Sequence, residues 1–226
     1  MTDTPIGIIG MGTYFPEKVE VAADLVERTQ IPENILREKM GIRQRHIATE
    51  TDTISHMASE AAKRAITNAG IDPAEIDMVI SHGSEYKDHV VWNAAGKIQH
   101  EVGAVNAFAF ETYALCAGAP IAMNIARSMM LGDPSLKTVL LAAASRENDL
   151  INLSNERARF MFNFGAGGGA MVLQRGVDKN LVLGASATET AGRAGQPSGA
   201  TATGRTTCGG SPLGLGRGRL GEPSRP

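Results

Sequence analysis

The sequence predicts an α/β layered fold with a mixed or mostly parallel sheet. Apolar strand-like segments alternate with helical segments along the chain, and segment 138–144 is continuously apolar, as in strands that are buried on both faces. A chain of 226 residues is also long enough for a real core. Because aromatic residues make up only 4% of the chain, this core must rest on Ala, Val, Ile, Leu and Met.

The order of these segments follows from their periodicity and their end signals. Strands are predicted at 6–12, 76–81, 105–110, 138–144, 169–174 and 180–185. Helices are predicted at 22–29, 32–40, 54–69, 91–102 and 121–131. The last two strands follow each other directly, which favours an antiparallel closing hairpin.

Two glycine patterns need an explanation. Gly10-x-Gly12 lacks the third glycine of a dinucleotide fingerprint, so it predicts a tight turn after the first strand. The glycine-rich segment 164–170 is no P-loop, because no Gly-Lys-Ser/Thr follows it, and it predicts a site of close backbone packing.

Composition and charge exclude several classes of protein. The formal net charge of −2 gives no reason to expect a nucleic-acid partner. Because the first residues, 1–5, lack a basic region and a long apolar segment, we expect no signal peptide, and no apolar run approaches the roughly 20 residues that span a bilayer. Cys116 and Cys208 form neither a disulfide framework nor a metal spacing, and the five histidines show no ligand spacing either. We therefore expect a reducing, cytoplasmic protein without a metal.

Cys116 is the candidate nucleophile. It lies between an apolar strand and the first turn of a predicted helix, where free N–H groups and the helix dipole stabilise a thiolate. The alternative is a small buried hydrophobe, which is what most free cysteines are.

Segment 41–47 alternates and contains three bases, Arg43, Arg45 and His46. It predicts an exposed strand or loop. The bases either form a solvated edge or contact an anionic ligand such as a phosphate-bearing cofactor.

The composition changes abruptly near the end of the chain. Residues 1–190 form the predicted folded unit, whereas 191–226 contain five arginines and no Ile, Val, Met, Phe, Tyr or Trp, which predicts a disordered tail. The tail is either a flexible or nucleic-acid-touching arm, or a segment that does not belong to the fold and comes from a shifted reading frame or an artificial end. We favour the second, because the strand pattern stops mid-architecture, and we expect Cys208 to be functionally idle.

Several segments together resemble the β-ketoacyl-acyl-carrier-protein synthase III family. They are 40–48, 59–65, 69–71, Cys116-Ala117-Gly118 and the glycine-rich 164–170. The resemblance covers roughly residues 5–190. It implies one half of a thiolase-like fold, a mixed five-stranded sheet with helices on both faces, and a chain that ends before the second half.

The resemblance also implies an activity. Family members, usually homodimers, load an acyl group from acyl-CoA onto a cysteine and condense it with malonyl-acyl-carrier protein, without a metal or organic cofactor. Cys116 falls on the nucleophile, and Lys39 with Arg157 or Arg159 falls on the basic contacts to CoA. The family's catalytic histidine and asparagine belong to the second half, so no histidine of this chain is assigned a role.

Departures from the family pattern leave alternatives open. Ile35 stands where the family often has an aromatic residue against the CoA adenine, Ala166 replaces an acid, and Tyr113 and Leu115 crowd the cysteine. These changes favour a specialised or secondary-metabolic relative over the housekeeping initiator of fatty acid synthesis. The alternatives are an acyltransferase that does not condense and a non-catalytic half-fold or interaction module.

Overall fold

A mixed five-stranded sheet forms the centre of the protein. The computed structural model describes residues 4–83 and 85–182. The strands are β1 (Ile6–Tyr14), β2 (Val19–Val21), β3 (Gln44–His46), β4 (Met78–Ser81), β5 (Phe108–Glu111), β6 (Thr138–Ser145) and β7 (Gly167–Arg175). The main sheet has the order β1-β7-β6-β4-β5, while β2 and β3 form a separate antiparallel pair. The predicted fold class is confirmed.

Three neighbouring strands on one side of the main sheet, β6, β4 and β5, are parallel. β4 pairs in parallel with β6 on one side and with β5 on the other, whereas β7 runs antiparallel to β6 and to β1. The carboxyl ends of β6, β4 and β5 therefore meet at one edge, which is where open α/β sheets bind ligands.

Helices cover both faces of this sheet. They are α1 (Ala22–Thr29), α2 (Glu33–Glu38), α3 (Ile54–Ala69), α4 (Ala94–Val102) and α5 (Gly118–Gly132). Alternate strand residues separate the two faces: Val79 and Leu140 pack with α3 and α4, whereas Ile80 and Leu141 pack with α5. A third cluster, which we call the α1–α2 cluster, joins Leu25 and Leu36 to Phe162.

The tight turn predicted at Gly10 and Gly12 is wrong. Gly10 and Gly12 lie inside β1, which continues to Tyr14. A Cβ atom on Gly12 would lie 2.2 Å from the Ala61 carbonyl oxygen, and one on Gly10 would lie 2.3 Å from that of Ala65. The glycines are there because α3 packs directly on the backbone of β1.

The predicted closing hairpin is also wrong for the residues described. Leu181 forms a bridge with Gly7 of β1 rather than with β7, and the Val182 N–H donates to the Ile6 carbonyl at 2.9 Å. Both edges of β7 are already occupied by β1 and β6, so the chain pairs with the free edge of β1. Residues 183–185 of that predicted strand, and the predicted tail 191–226 with Cys208, lie outside the described residues.

Smaller differences concern the ends of elements. The predicted helix 91–102 begins only at Ala94, because Asn93 caps it through its side-chain oxygen. The predicted strand 105–110 begins at Phe108, after hydrogen bonds that turn the chain between Gly103 and Ala107. Among the described helices, none combines the length and the apolar character that crossing a bilayer requires.

Candidate active site

A cavity of about 550 Å³ opens at the carboxyl ends of the three parallel strands. Its wall is mostly apolar, with Met11, Leu115, Phe164 and Met171 as its larger side chains. Cys116 lines it as well. The cavity therefore brings the candidate nucleophile together with apolar surface suited to a hydrocarbon group.

Cys116 lies in a single 3-10 turn, Leu115–Ala117, that leads directly into α5. Its thiol is free and exposed, so the interpretation as a small buried hydrophobe is wrong. Within the described residues its backbone N–H makes no hydrogen bond. An unpaired N–H at the start of a helix can donate to an anionic oxygen that forms beside the thiol.

The residue before the cysteine has a strained backbone. Leu115 has φ of +47°, in the left-handed region that side-chain-bearing residues rarely adopt. Such a conformation costs about 1–3 kcal/mol and persists where the surrounding structure imposes it, typically at functional sites. The strain singles out the turn that presents Cys116 to the cavity.

Two further titratable side chains line the cavity. His82 is the first residue after β4, and burial lowers the pKa of its imidazole below the usual value, so the ring is neutral near pH 7. Glu147 follows β6 and accepts hydrogen bonds from the backbone N–H groups of Glu85 at 3.0 Å and Tyr86 at 3.3 Å. It thereby ties the loop after β4 to the end of β6.

The glycine-rich segment forms part of the cavity wall, and its packing against α3 confirms the predicted close backbone approach. A Cβ atom on Gly168 would lie 2.3 Å from the Met57 carbonyl oxygen in α3, whereas one on Gly169 would meet nothing within 4 Å. Gly169 lines the cavity instead. Gly168 thus allows α3 to pack on β7, whereas Gly169 keeps the cavity free of a side chain.

Arg45 is a structural residue rather than part of a ligand site. It is buried, forms an ion pair with Glu20 at 2.5 Å, and donates to the carbonyls of Phe162 at 3.0 Å and Phe164 at 3.2 Å. His46 contacts the Pro16 carbonyl oxygen through Nδ1 at 2.7 Å. The hypothesis that these bases contact an anionic ligand is therefore wrong for Arg45, whose contacts hold the Phe164 wall in place.

The three predicted basic contacts lie away from the cavity. Lys39 caps the end of α2, and Arg157 and Arg159 lie in the 3-10 turn Glu156–Met161. Both elements pack in the α1–α2 cluster, and none of the three side chains lines the cavity around Cys116. Arg159 is paired with Glu156 at 2.9 Å.

His82 and Glu147 were not among the site residues predicted from the sequence. The signal that finds them is their position directly after neighbouring parallel strands, which becomes informative only once the strand order is known. In residues 4–83 and 85–182, no group of three or more His, Cys, Asp or Glu side chains is arranged to hold a metal ion.

Comparison with known proteins assigns a family to this arrangement. The family model of 3-oxoacyl-[acyl-carrier-protein] synthase III matches residues 110–192, which include Cys116. The β-ketoacyl-[acyl-carrier-protein] synthase III of Rickettsia canadensis is 35% identical over 176 residues, 78% of this chain and 54% of the relative. This chain belongs to the β-ketoacyl-acyl-carrier-protein synthase III family.

Two solved structures agree with this assignment. The enzyme from Aquifex aeolicus superposes with a TM-score of 0.69 at 30% identity, over 77% of this chain and 55% of that one. The priming β-ketosynthase of the R1128 polyketide pathway superposes with a TM-score of 0.70 at 32% identity, over 76% of this chain and 51% of that one. The resemblance and the thiolase-like fold class are confirmed, and the chain spans about half the length of the relatives it matches.

Proposed function

We propose that this chain accepts an acyl group from acyl-CoA on Cys116, as the first step of a decarboxylative condensation with malonyl-acyl-carrier protein. One observation supports this above all. A free, exposed thiol lies in a strained turn at the start of α5, at the rim of an apolar cavity where three parallel strands end.

The loading step suits these residues chemically. The Cys116 thiol gives up its proton and its sulfur attacks the thioester carbon, so that a new carbon–sulfur bond forms. The bond from that carbon to the CoA sulfur breaks, and the proton passes to the leaving CoA thiolate. The Cys116 N–H donates to the oxyanion of the tetrahedral intermediate. Met11, Leu115, Phe164 and Met171 surround the hydrocarbon part of the acyl group. No metal or organic cofactor belongs to the proposal.

We assign the CoA nucleotide to the basic surface of the α1–α2 cluster. Lys39, Arg157 and Arg159 lie on elements that pack in this cluster, and cations there favour the nucleotide phosphates. Ile35, which is 37% exposed, then offers an aliphatic contact to the adenine.

The proposed partners are a second copy of the chain and an acyl-carrier protein, in a cytoplasmic setting. β5 is an edge strand of the described sheet, and Phe108 on it is 47% exposed, which supports pairing with a second copy of the chain in a homodimer. A reducing cytoplasmic setting keeps the Cys116 thiol free. The acyl acceptor is an acyl-carrier protein charged with malonate.

The test is the intact mass of the full chain after incubation with acyl-CoA donors from acetyl-CoA to octanoyl-CoA. The wild type and Cys208→Ala are expected to gain the mass of one acyl group, and Cys116→Ala to gain none. Cys208→Ala is the matched control, because it removes the chain's other cysteine. Failure of the wild type to acylate with every donor, or equal acylation of Cys116→Ala, would overturn the proposal.

A second candidate function is that of a non-catalytic interaction module. The observation that favours it is that Ile125 and Met129 on α5 are only partly buried, which leaves apolar surface for a partner. A stable monomer at micromolar concentration with a cooperative melt counts against this module. Self-association of a wild-type chain that no acyl-CoA donor acylates supports it.

A further inference from the structure

His82 occupies a central place at the candidate active site. It follows β4, and β4 lies between β6 and β5 in the sheet. The chain after β6 carries Glu147, and the chain after β5 carries Cys116. The strand order therefore places His82 between the two other titratable side chains of the cavity.

The backbone brings His82 close to the cysteine turn. A Cβ atom on Gly118 would lie 2.8 Å from the His82 carbonyl oxygen, so the first residue of α5 packs on the end of β4 with no side chain between them. Cys116 precedes Gly118 by two residues. The turn that presents the thiol is thus held against His82.

Glu147 is committed to other contacts. One of its carboxylate oxygens accepts two backbone hydrogen bonds, from Glu85 and Tyr86, and the other accepts the Ser145 hydroxyl. Glu111, the register partner of Ser81 on β5, is paired with Lys87 at 3.2 Å. Of the titratable groups lining the described cavity, this leaves His82 as the base that can exchange a proton with Cys116.

The protonation state of His82 fits that task. Burial lowers the pKa of its imidazole, against a smaller opposite effect of its own backbone, so the neutral form with an accepting nitrogen dominates near pH 7. A neutral imidazole can take a thiol proton and pass it on.

We propose that His82 is a catalytic base of the acyl-loading step, an inference that rests on the function proposed for Cys116. His82 takes the proton from the Cys116 thiol as Sγ bonds to the acyl carbon. The bond from that carbon to the sulfur of the donor breaks, and the imidazolium returns the proton to the leaving thiolate. The products are acyl-Cys116, free thiol and neutral His82, so atoms and charge balance.

The positions of Cys116 and His82 at one cavity allow this step. Cys116 and His82 share no hydrogen bond within the described residues. Catalytic hydrogen bonds are often long in unliganded enzymes and tighten, or run through one water, in the substrate complex. The acyl donor enters the cavity that both side chains line.

The experiment follows acetylation of Cys116 in the full chain by intact mass, with S-phenyl thioacetate and with acetyl-CoA as donors, across about pH 5 to 9. We expect His82→Gln to slow acetylation by about 10²-fold near pH 7 with either donor. His100→Gln, which changes an exposed histidine of α4, is expected to match the wild type.

Chemical rescue separates a proton-transfer role from a structural one. Free imidazole is expected to speed acetylation of His82→Ala and to leave His100→Ala unchanged, whereas a merely structural loss would not respond. His82→Asn is the second variant if His82→Gln fails to fold.

Two outcomes are distinguishable. Rates of His82→Gln within about twofold of the wild type, or no rescue by imidazole, would overturn the role of His82 alone. No acetylation of the wild type by either donor would overturn the proposed function and this role with it.

Discussion

A Cβ atom placed on Gly118 would lie 2.8 Å from the backbone carbonyl oxygen of His82. Gly118 has an ordinary helical backbone, with φ of −55°, so its lack of a side chain serves this close approach rather than an unusual conformation. The distance couples the start of α5 to the end of β4. Because Cys116 lies in the turn just before Gly118, any displacement of this contact moves the thiol.

Gly118→Ala is therefore expected to slow acetylation of Cys116 about tenfold or more, since a misplacement of about 1 Å can cost two orders of magnitude in rate. It is also expected to lower the free energy of unfolding by about 1–3 kcal/mol through overpacking. Acetylation followed by mass, together with urea denaturation, measures both effects.

Gly132→Ala is the matched control, because Gly132 ends the same helix and a Cβ atom there would meet nothing within 4 Å. It is expected to leave the acetylation rate unchanged and to keep or raise stability by up to about 1 kcal/mol. Equal behaviour of the two variants would contradict the coupling of α5 to His82.

Features set by local signals were predicted well from the sequence. The bounds predicted for α3 agree with the structure, because Thr53 caps its start by accepting the His56 N–H and Gly70 ends it with φ of +68°. The placement of Cys116 between a strand and a helix follows in the same way from apolar runs and turn residues on either side.

Features set by distant contacts were missed. The Gly10–Gly12 pair predicted a turn because the residues that require those glycines, Ala61 and Ala65, lie about fifty residues further along the chain. His82 received no role because it does not fall on the catalytic histidine of the resembled family. Its neighbours at the cavity follow β5 and β6, and no local pattern reveals the order of these strands in the sheet.

The neighbouring glycines Gly168 and Gly169 offer a test of the glycine-rich wall. Gly168→Ala is expected to destabilise the protein by about 3 kcal/mol, because its Cβ atom would lie 2.3 Å from the Met57 carbonyl oxygen and α3 must move. Gly169→Ala is expected to change stability by less than about 0.5 kcal/mol, because its Cβ atom points into free space.

At the cavity it is Gly169→Ala, the variant with little effect on stability, that is expected to change activity. Gly169 lines it, so Gly169→Ala is expected to alter acylation rates with the longer acyl-CoA donors while the melting temperature stays the same. Similar melting temperatures for Gly168→Ala and Gly169→Ala would contradict the packing of α3 on this wall.

Arg45 is a buried structural residue in a segment whose charges predicted an exposed edge. Its partners Glu20, Phe162 and Phe164 are far away in sequence, so the alternation around it resembled an exposed edge. Arg45→Met is expected to cost about 3 kcal/mol, because it leaves two carbonyls and part of the Glu20 carboxylate unpaired in a buried place.

Arg37→Met is the control for Arg45→Met. It removes an exposed pair with Glu33 at 3.4 Å and is expected to cost less than about 0.5 kcal/mol. Urea denaturation of both variants measures the difference. A loss for Arg45→Met no larger than that for Arg37→Met would show that Arg45 does not hold the Phe164 wall.

The contact between Tyr14 and Asp52 predicts how stability depends on pH. The Tyr14 hydroxyl donates to Asp52 Oδ1 at 2.7 Å, and this hydrogen bond, with burial and the nearby carboxylate charge, raises the pKa of Tyr14 to about 12. For Asp52, burial acts to raise the pKa, but the hydrogen bonds from Thr49 and Tyr14 outweigh it and hold the pKa below the ordinary value.

Tyr14 and Asp52 change the free energy of unfolding in different pH ranges, because the folded state holds the Tyr14 proton more tightly than the unfolded state and the Asp52 proton less tightly. Above pH 10.0, the ordinary pKa of tyrosine, the unfolded chain loses the Tyr14 proton while the folded protein keeps it. The contribution of Tyr14 to the free energy of unfolding is therefore fully present below pH 10.0 and is lost as the pH rises towards about 12. The Asp52 contribution is present above the ordinary aspartate pKa of 3.8 and is lost as the pH falls through the lowered folded-state value.

Tyr14→Phe is therefore expected to flatten the loss of stability between pH 10.0 and about 12, and to cost about 1 kcal/mol at neutral pH through the missing hydrogen bond. Urea denaturation across this range measures the slope, and absorbance at alkaline pH follows the titration of Tyr14 itself. Tyr86→Phe leaves the contact with Asp52 intact and is expected to keep the wild-type titration of Tyr14. An unchanged slope in Tyr14→Phe would mean that Tyr14 ionises alike in the folded and unfolded states, and that the hydrogen bond to Asp52 does not hold its proton.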